Sequence, residues 1–284
     1  MKLGCHVHRH GDRALHECIE VARVEARDEG DVDLGSVQVF VGGPRKREII
    51  VDPGEREALR LYFARTGVFA VAHNAYSADP WRGDPDAARF IREEAEVCQE
   101  SGIRGLVVHL PRLPVAAVAK YARRLVGAGA PDVRIYLETP AVTPKETYYE
   151  TPEKLAKLFD ALAVIDPEKR TFGLCVDTAH LWVNGIDVGP YGVAAAWLRA
   201  LERGVVDKGW PVMIHANDSQ RLRGTGPDAH APLAKGHIWG AYEDRIDGSG
   251  LAAFVDFARK HEIPVILERK TEDLKNDYLV MRRL

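Results

Sequence analysis

Cysteine is scarce in this 284-residue sequence: there are four, Cys5, Cys18, Cys98 and Cys175, and no two form a Cys-x-x-Cys pair. They sit in apolar or helical contexts, so buried free thiols in a reducing compartment are expected rather than a disulfide framework. Cys175 belongs to a strand and Cys98 to a helix face, which makes neither a good nucleophile. Long apolar runs are missing too. None approaches the roughly 18 residues of a membrane span, and the N-terminus has no apolar signal-peptide segment. An intracellular location (cytoplasm, nucleus or a viral compartment) is the expectation. There is no excess of positive charge either, since the formal net charge is −3. Nothing global marks a nucleic-acid binder, and an anionic substrate must meet a local positive patch or a bound metal. No strand opens into a Gly-rich phosphate turn, because Gly42-Gly43-Pro44 is too short and lacks a third glycine in place. Low-complexity segments, composition breaks and tandem repeats are likewise absent.

What is present is a series of eight short apolar runs, most ending at or beside a residue that can bind a metal. Leu3-Gly4-Cys5-His6-Val7 comes first, then Ser36 to Val41, the one run without such an ending. Phe69 to Ala72 stops at His73, Gly105 to Val108 at His109, and Val133 to Leu137 at Glu138. Leu174-Cys175-Val176 stops at Asp177, Pro211 to Ile214 at His215, and Pro264 to Leu267 at Glu268. Continuous β-rich runs of this length read as parallel strands buried on both faces. Helical patterns lie between them, at 12–28, 53–64, 84–100, 115–126, 152–162, 193–202 and 250–261, with Thr151 as an N-cap before Pro152. Strand and helix alternating with short turns predict a parallel α/β fold. Eight strands favour a closed (β/α)8 TIM barrel over an open doubly wound sheet. Such a barrel uses about 250 residues as one domain, so residues 1–284 are taken as a single domain. The 46% hydrophobic content is enough for its core. Residues 216–248 form the longest stretch without periodicity, and loops of that length are usually functional.

In a barrel the strand ends share one rim, where active sites lie. Three histidines (His73, His109, His215) and three acids (Glu138, Asp177, Glu268) facing one another would repel and desolvate one another unless cations neutralise the acids. Mixed imidazole and carboxylate ligands suit zinc or manganese better than magnesium or calcium. Two further pairs extend the set. In Asp177-Thr178-Ala179-His180 the acid ends a strand and the histidine begins the next turn. In Asp228-Ala229-His230 alternate spacing puts both side chains on one side of an extended loop.

With these motifs the chain resembles the endonuclease IV family of apurinic/apyrimidinic (AP) DNA endonucleases, from His6 to Glu268. The sharpest matches are Asp177-Thr178-Ala179-His180, His215-Ala216-Asn217-Asp218 and Asp228-Ala229-His230, and all nine family metal ligands have a counterpart. The resemblance implies a TIM barrel with three zinc ions, one or more of them replaceable by manganese. His73, His109 and Glu138 would hold the first. Glu138 would bridge to a second held with Asp177, His215 and Glu268, and His180, Asp228 and His230 would hold the third. Glu138 and Glu268 would then serve catalysis as well as binding. The implied reaction is hydrolysis of the phosphodiester 5′ to an abasic site in double-stranded DNA, leaving a 3′-hydroxyl and a 5′-deoxyribose phosphate. A monomer is expected.

The same resemblance implies DNA contacts. Tyr76 matches the family tyrosine that inserts at the abasic gap, although a loop aromatic packing locally fits as well. Arg45-Lys46-Arg47 follows the second strand, where the family places a DNA-penetrating arginine, and either Arg45 or Arg47 could fill that role. Arg9, Arg221 and Arg223 are candidate phosphate contacts. His6 and His8 are expected to be hydrogen-bonded structural residues near the pocket. Departures from the family pattern are Ala179 in place of cysteine, Thr139 in place of asparagine, Ala234-Lys235-Gly236-His237 in a normally Gly-rich segment, and a shorter loop after His109. Two other readings compete. A metal-dependent sugar isomerase or epimerase of the xylose-isomerase-like barrels shares the fold but has no use for a third-metal set. A barrel that binds damaged DNA without cutting it has no need of intact ligands.

Overall fold

A computed structural model describes residues 1–126, 130–141 and 149–284. Seven strands in chain order, β1 (Lys2–His6), β2 (Ser36–Val39), β3 (Phe69–His73), β4 (Gly105–His109), β5 (Arg134–Glu138), β6 (Phe172–Asp177) and β7 (Val212–His215), run parallel. A small antiparallel pair follows, β8 (Asp218–Ser219) with β9 (His230–Ala231), and β10 (Pro264–Leu267) then pairs with both β7 and β1. Eight strands thus form a closed barrel. Closure leaves no barrel edge unpaired, and the strands can be apolar on both faces because outer helices cover one and packed side chains fill the other.

The barrel interior is filled by Val71, Val107, Tyr136, Cys175, Met213 and Ile266, with Phe69 packed against them. This layer is the floor of the rim. The larger core lies between the strands and the outer helices, α1 (Leu15–Gly30), α2 (Pro53–Thr66), α3 (Pro85–Glu100), α4 (Val115–Ala122), α5 (Pro152–Ala163), α6 (Thr178–Val183), α7 (Tyr191–Leu201), α8 (Gly250–Lys260) and α9 (Lys275–Arg282). Asp52, Asp84, Thr151 and Ser249 cap α2, α3, α5 and α8 by accepting backbone N–H groups, and prolines begin the first three.

Several boundaries differ from the sequence expectation for local reasons. The first helix begins at Leu15, not Asp12, because Ala14 is extended and the Leu15 N–H is held by the Glu55 carboxylate at 2.7 Å. The fourth stops at Ala122 and continues as turns. The seventh starts two residues early, at Tyr191, where Pro190 sets the entry. Two helices carried no readable periodicity. The six-residue α6 is too short for one, and α9 packs Tyr278 against Gly30 of α1, where a Cβ would come within 2.3 Å of the tyrosine Cβ. The aperiodic 216–248 stretch holds β8, β9 and two short 3-10 turns. Among the described residues, no helix is long and apolar enough to cross a membrane.

Candidate metal centre and nucleic-acid rim

The parallel register sets the chemistry of the rim. His109 pairs with Glu138 on the neighbouring strand, and Asp177 pairs with His215. One ligand atom from each of His73, His109 and Glu138 lies within 4.8 Å of the others, and so do atoms from Glu138, Asp177, His215 and Glu268. Glu138 belongs to both groups and is fully buried. Its Oε2 faces His73 Nε2 at 3.3 Å and His109 Nε2 at 2.9 Å, while Oε1 faces His215 Nδ1 at 2.9 Å. The two oxygens of one carboxylate therefore look in two directions.

Asp177, His180 and His230 form a further group within the same spacing. Asp228 Oδ2 sits 3.0 Å from His230 Nε2 and 3.6 Å from His180 Nε2. All nine residues singled out as ligands are thus brought together, with Asp177 nearer the third set than sequence alone suggested. Cys175 also lies beside Glu138 and His215, one layer down. Burial pushes its thiol far up, so it stays protonated and apolar.

Hydrogen bonds outside the cluster fix which imidazole nitrogen faces inward. His73 Nδ1 donates to the Asn74 carbonyl at 2.9 Å, and His180 Nδ1 donates to the Thr139 carbonyl at 2.6 Å, which leaves both Nε2 atoms to the cluster. His215 is reversed: Nε2 donates to Gln38 Oε1 at 2.9 Å, and Nδ1 turns to the acids. These outer partners are what metal-binding histidines ordinarily have.

Gln38 and Asn217 do more than the sequence reading gave them. Gln38 Nε2 donates to Glu268 Oε1 at 2.6 Å and to His6 Nδ1 at 2.9 Å. Asn217 Nδ2 donates to Asp177 at 2.6 Å and to Glu268 Oε2 at 2.9 Å. The readable signal for Gln38 was a lone amide inside the valine-rich second run, the very run that lacked a terminal ligand. Thr139 accepts the Asp177 N–H through Oγ1, so this departure from the family pattern is satisfied in place. His6 is buried and stacks on His8 at 4.5 Å, which fits the expected structural role.

The electrostatics are those of a largely buried, acid-rich site. Burial opposes ionisation of Glu138, yet the facing His109 and His215 hold its carboxyl well below the usual range. Burial pushes the Asp177 carboxyl up against the pull of His180 and His230. His180 and His230 are shifted up, His230 to about 9, because the attraction of Asp228 and Asp177 outweighs the cost of burying their charge. Asp228 Oδ1 and His230 Nε2 are buried without a hydrogen bond of acceptable geometry. Oxygen and imidazole donors crowded this closely, several short of partners, fit divalent cations of borderline softness.

The DNA-contact candidates fall into two classes. Tyr76 is 59% exposed, yet its ring lies 5.2 Å from that of His73 and 5.8 Å from that of His109, so it packs locally and still faces outward. Arg45 is exposed and makes no ion pair or hydrogen bond among the described residues, and the Arg221 side chain is likewise exposed. Arg47 is held by the Ser77 carbonyl and by Asp84 at 2.7 Å. Arg9 pairs with Glu55 at 2.5 Å and Arg223 with Asp187 at 3.0 Å.

Residues 29–274 match the Xylose isomerase-like TIM barrel family. A protein of African swine fever virus named Probable AP endonuclease is 36% identical over 237 residues, covering 82% of this chain and 78% of the relative. A Probable endonuclease 4 of Chloroflexus aurantiacus is 31% identical over 278 residues, 90% of each chain. The crystal structure of AsfvAP:AG superposes with a TM-score of 0.88 at 32% identity, over 99% of this chain and 96% of that one.

Proposed function

The chain belongs to the Xylose isomerase-like TIM barrel family, among the AP endonucleases related to endonuclease IV, and from that premise we propose that it is a metal-dependent AP endonuclease of DNA repair. The substrate is double-stranded DNA with an abasic site. Water adds to the phosphorus 5′ to the lesion, the bond to the 3′ oxygen breaks, and the products are a 3′-hydroxyl and a 5′-deoxyribose phosphate. The observation that carries this reading is Glu138, whose two oxygens face separate histidine sets.

His73, His109 and Glu138 would hold one cation, Glu138, Asp177, His215 and Glu268 a second, and His180, Asp228 and His230 a third. Zinc, with manganese able to replace it at one or more sites, would lower the pKa of water toward neutrality and offset phosphate charge. The protein's own part is positional. Gln38 and Asn217 aim the Glu268 carboxylate from opposite sides. Glu138 and Glu268 would serve catalysis as well as holding the cations. No side-chain nucleophile is required, which agrees with the protonated state of Cys175. Tyr76 and Arg45 would meet the DNA at the lesion, Arg221 would contact phosphate, and Arg9, Arg47 and Arg223 would act through the loops they brace. A single chain supplies every group in this scheme, and we read the enzyme as a monomer that works inside the cell.

The test is cleavage of an abasic duplex by the metal-loaded chain with Glu268→Gln as control, together with elemental analysis. Incision 5′ to the lesion, lost in the control, and about three zinc ions per chain are expected. Intact protein that binds the duplex and leaves it uncut would overturn the reading. One or two manganese or magnesium ions with sugar turnover would move it to the isomerase class.

A further inference from the structure

Three large apolar side chains are exposed on the rim loops, Ile50 at 40%, Tyr76 and, the most exposed at 62%, Leu222. Other well-exposed aliphatic residues, such as Leu61 and Val164, lie on or at the end of outer helices. We propose that Leu222 is a wedge that enters the base stack at the lesion. This inference rests on abasic duplex DNA being the substrate.

Leu222 lies between β8 and β9, in the segment that goes on to supply Asp228 and His230. Its turn is fastened to α6, the helix of His180. Trp182 Nε1 donates to the Arg221 carbonyl at 2.9 Å, and the Gly224 N–H donates to the Trp182 carbonyl at 3.0 Å. Within the turn, the Arg221 N–H donates to Ser219 Oγ at 3.0 Å. The Leu222 carbonyl accepts the Thr225 N–H at 3.1 Å and the Thr225 hydroxyl at 2.6 Å. Gly224 supplies the left-handed step with φ of +72°. Such a turn is ordered before anything binds, so it can present its apex without further ordering cost.

The chemistry of the apex points to a base stack. Leucine has nothing to offer a phosphate or a base edge, and its exposure here gains nothing for the fold. Arg221 and Arg223 flank it, and Arg223 is fixed by Asp187 and lies 5.9 Å over the Trp182 ring. An apolar tip between two cations suits a polyanion whose interior is apolar. Proteins insert leucine and similar residues between base steps to unstack and kink a duplex. At a missing base the stack already has a gap of about side-chain size.

The experiment compares wild type, Leu222→Ala and Leu222→Met on two substrates, an abasic site in a fully paired duplex and one inside a bulge that is already unstacked. Binding is followed in parallel by the fluorescence of 2-aminopurine placed opposite the lesion. Leu222→Ala should lose roughly tenfold in kcat/KM on the paired duplex, the equivalent of about 1.4 kcal/mol, and recover on the bulge. Leu222→Met should stay close to wild type, and the fluorescence rise on binding should be lost only in Leu222→Ala. Equal activity of Leu222→Ala and wild type on the paired duplex, or an equal loss on both substrates, would overturn the wedge. If wild type cuts neither substrate, the function proposed above fails instead. The fluorescence arm then still decides whether Leu222 enters the stack.

Discussion

Gln38 Oε1 accepts a hydrogen bond from His215 Nε2 at 2.9 Å, tying the second barrel strand to the seventh. The same amide donates to Glu268 and to His6, so one neutral side chain orients an imidazole and a carboxylate of the candidate metal centre. Replacing it with Gln38→Leu removes those bonds at nearly constant size. Metal affinity or activity should fall roughly 10- to 100-fold, the usual cost of losing such an outer partner. Zinc titration and steady-state kinetics would check this, with circular dichroism confirming the fold. Unchanged values in both would show that His215 needs no such support.

The arginines after β2 are not equivalent. Arg47 is committed to Ser77 and Asp84, whereas the Arg45 guanidinium is open to solvent. Arg45→Ala should weaken DNA binding and reduce the slope of log affinity against log salt by about 1. Arg47→Ala should leave that slope nearly intact and act by loosening the turn next to Tyr76. Binding isotherms at several salt concentrations would separate the two, and equal slopes for both variants would refute the assignment.

Glu94 of α3 is a fully buried acid outside the ligand set. It accepts from Asn74 Nδ2 at 2.7 Å and from the Ala75 N–H at 3.2 Å, bracing the turn that follows His73. Burial pushes its carboxyl up from 4.5 to about 7. The folded state therefore favours the protonated acid, and the contribution to stability is full below pH 4.5 and lost as pH rises through 7. Glu94→Gln should gain on wild type across that window, by up to about 3 kcal/mol. Denaturant titrations at pH 5 and pH 8 would measure the difference, and a gap that does not change with pH would contradict it.

Gly236 occupies a position no larger residue fits. A Cβ there would lie 2.4 Å from Asp218 Oδ1 and 2.6 Å from the Ser219 carbonyl. Asp218 is buried and accepts the N–H groups of Ser219, Gly236 and Ile238, which pins the return of the long rim loop. Gly236→Ala should cost about 1–3 kcal/mol and displace that return. Thermal melts and metal content report the two effects separately. A variant as stable as wild type would mean the backbone yields there freely.

The barrel could be read from the sequence because its strands are continuous apolar runs, each stopping at a polar residue, and closure turns those stops into one rim. The candidate ligands were legible for the same reason, since His73, His109, Glu138, Asp177, His215 and Glu268 each sit at or just past a strand end. What escaped lay off that pattern. Gln38 faces the site from inside a strand, and its meaning comes only from the register that sets it beside His6. Asn217 acts two residues beyond a strand, where no periodicity points. The short α6 and the packing of α9 on α1 depend on contacts between distant segments. The difference between Arg45 and Arg47 depends on Asp84, 37 and 39 positions further along the chain.

Glu138 gives the centre a shared hinge of charge. Because each of its oxygens serves a different pair of neighbours, a charge placed beside one would be felt at the other, so cations entering the two halves would not bind as independent vessels. Titration curves for this protein should consequently be analysed with an interaction constant rather than as a sum of separate isotherms.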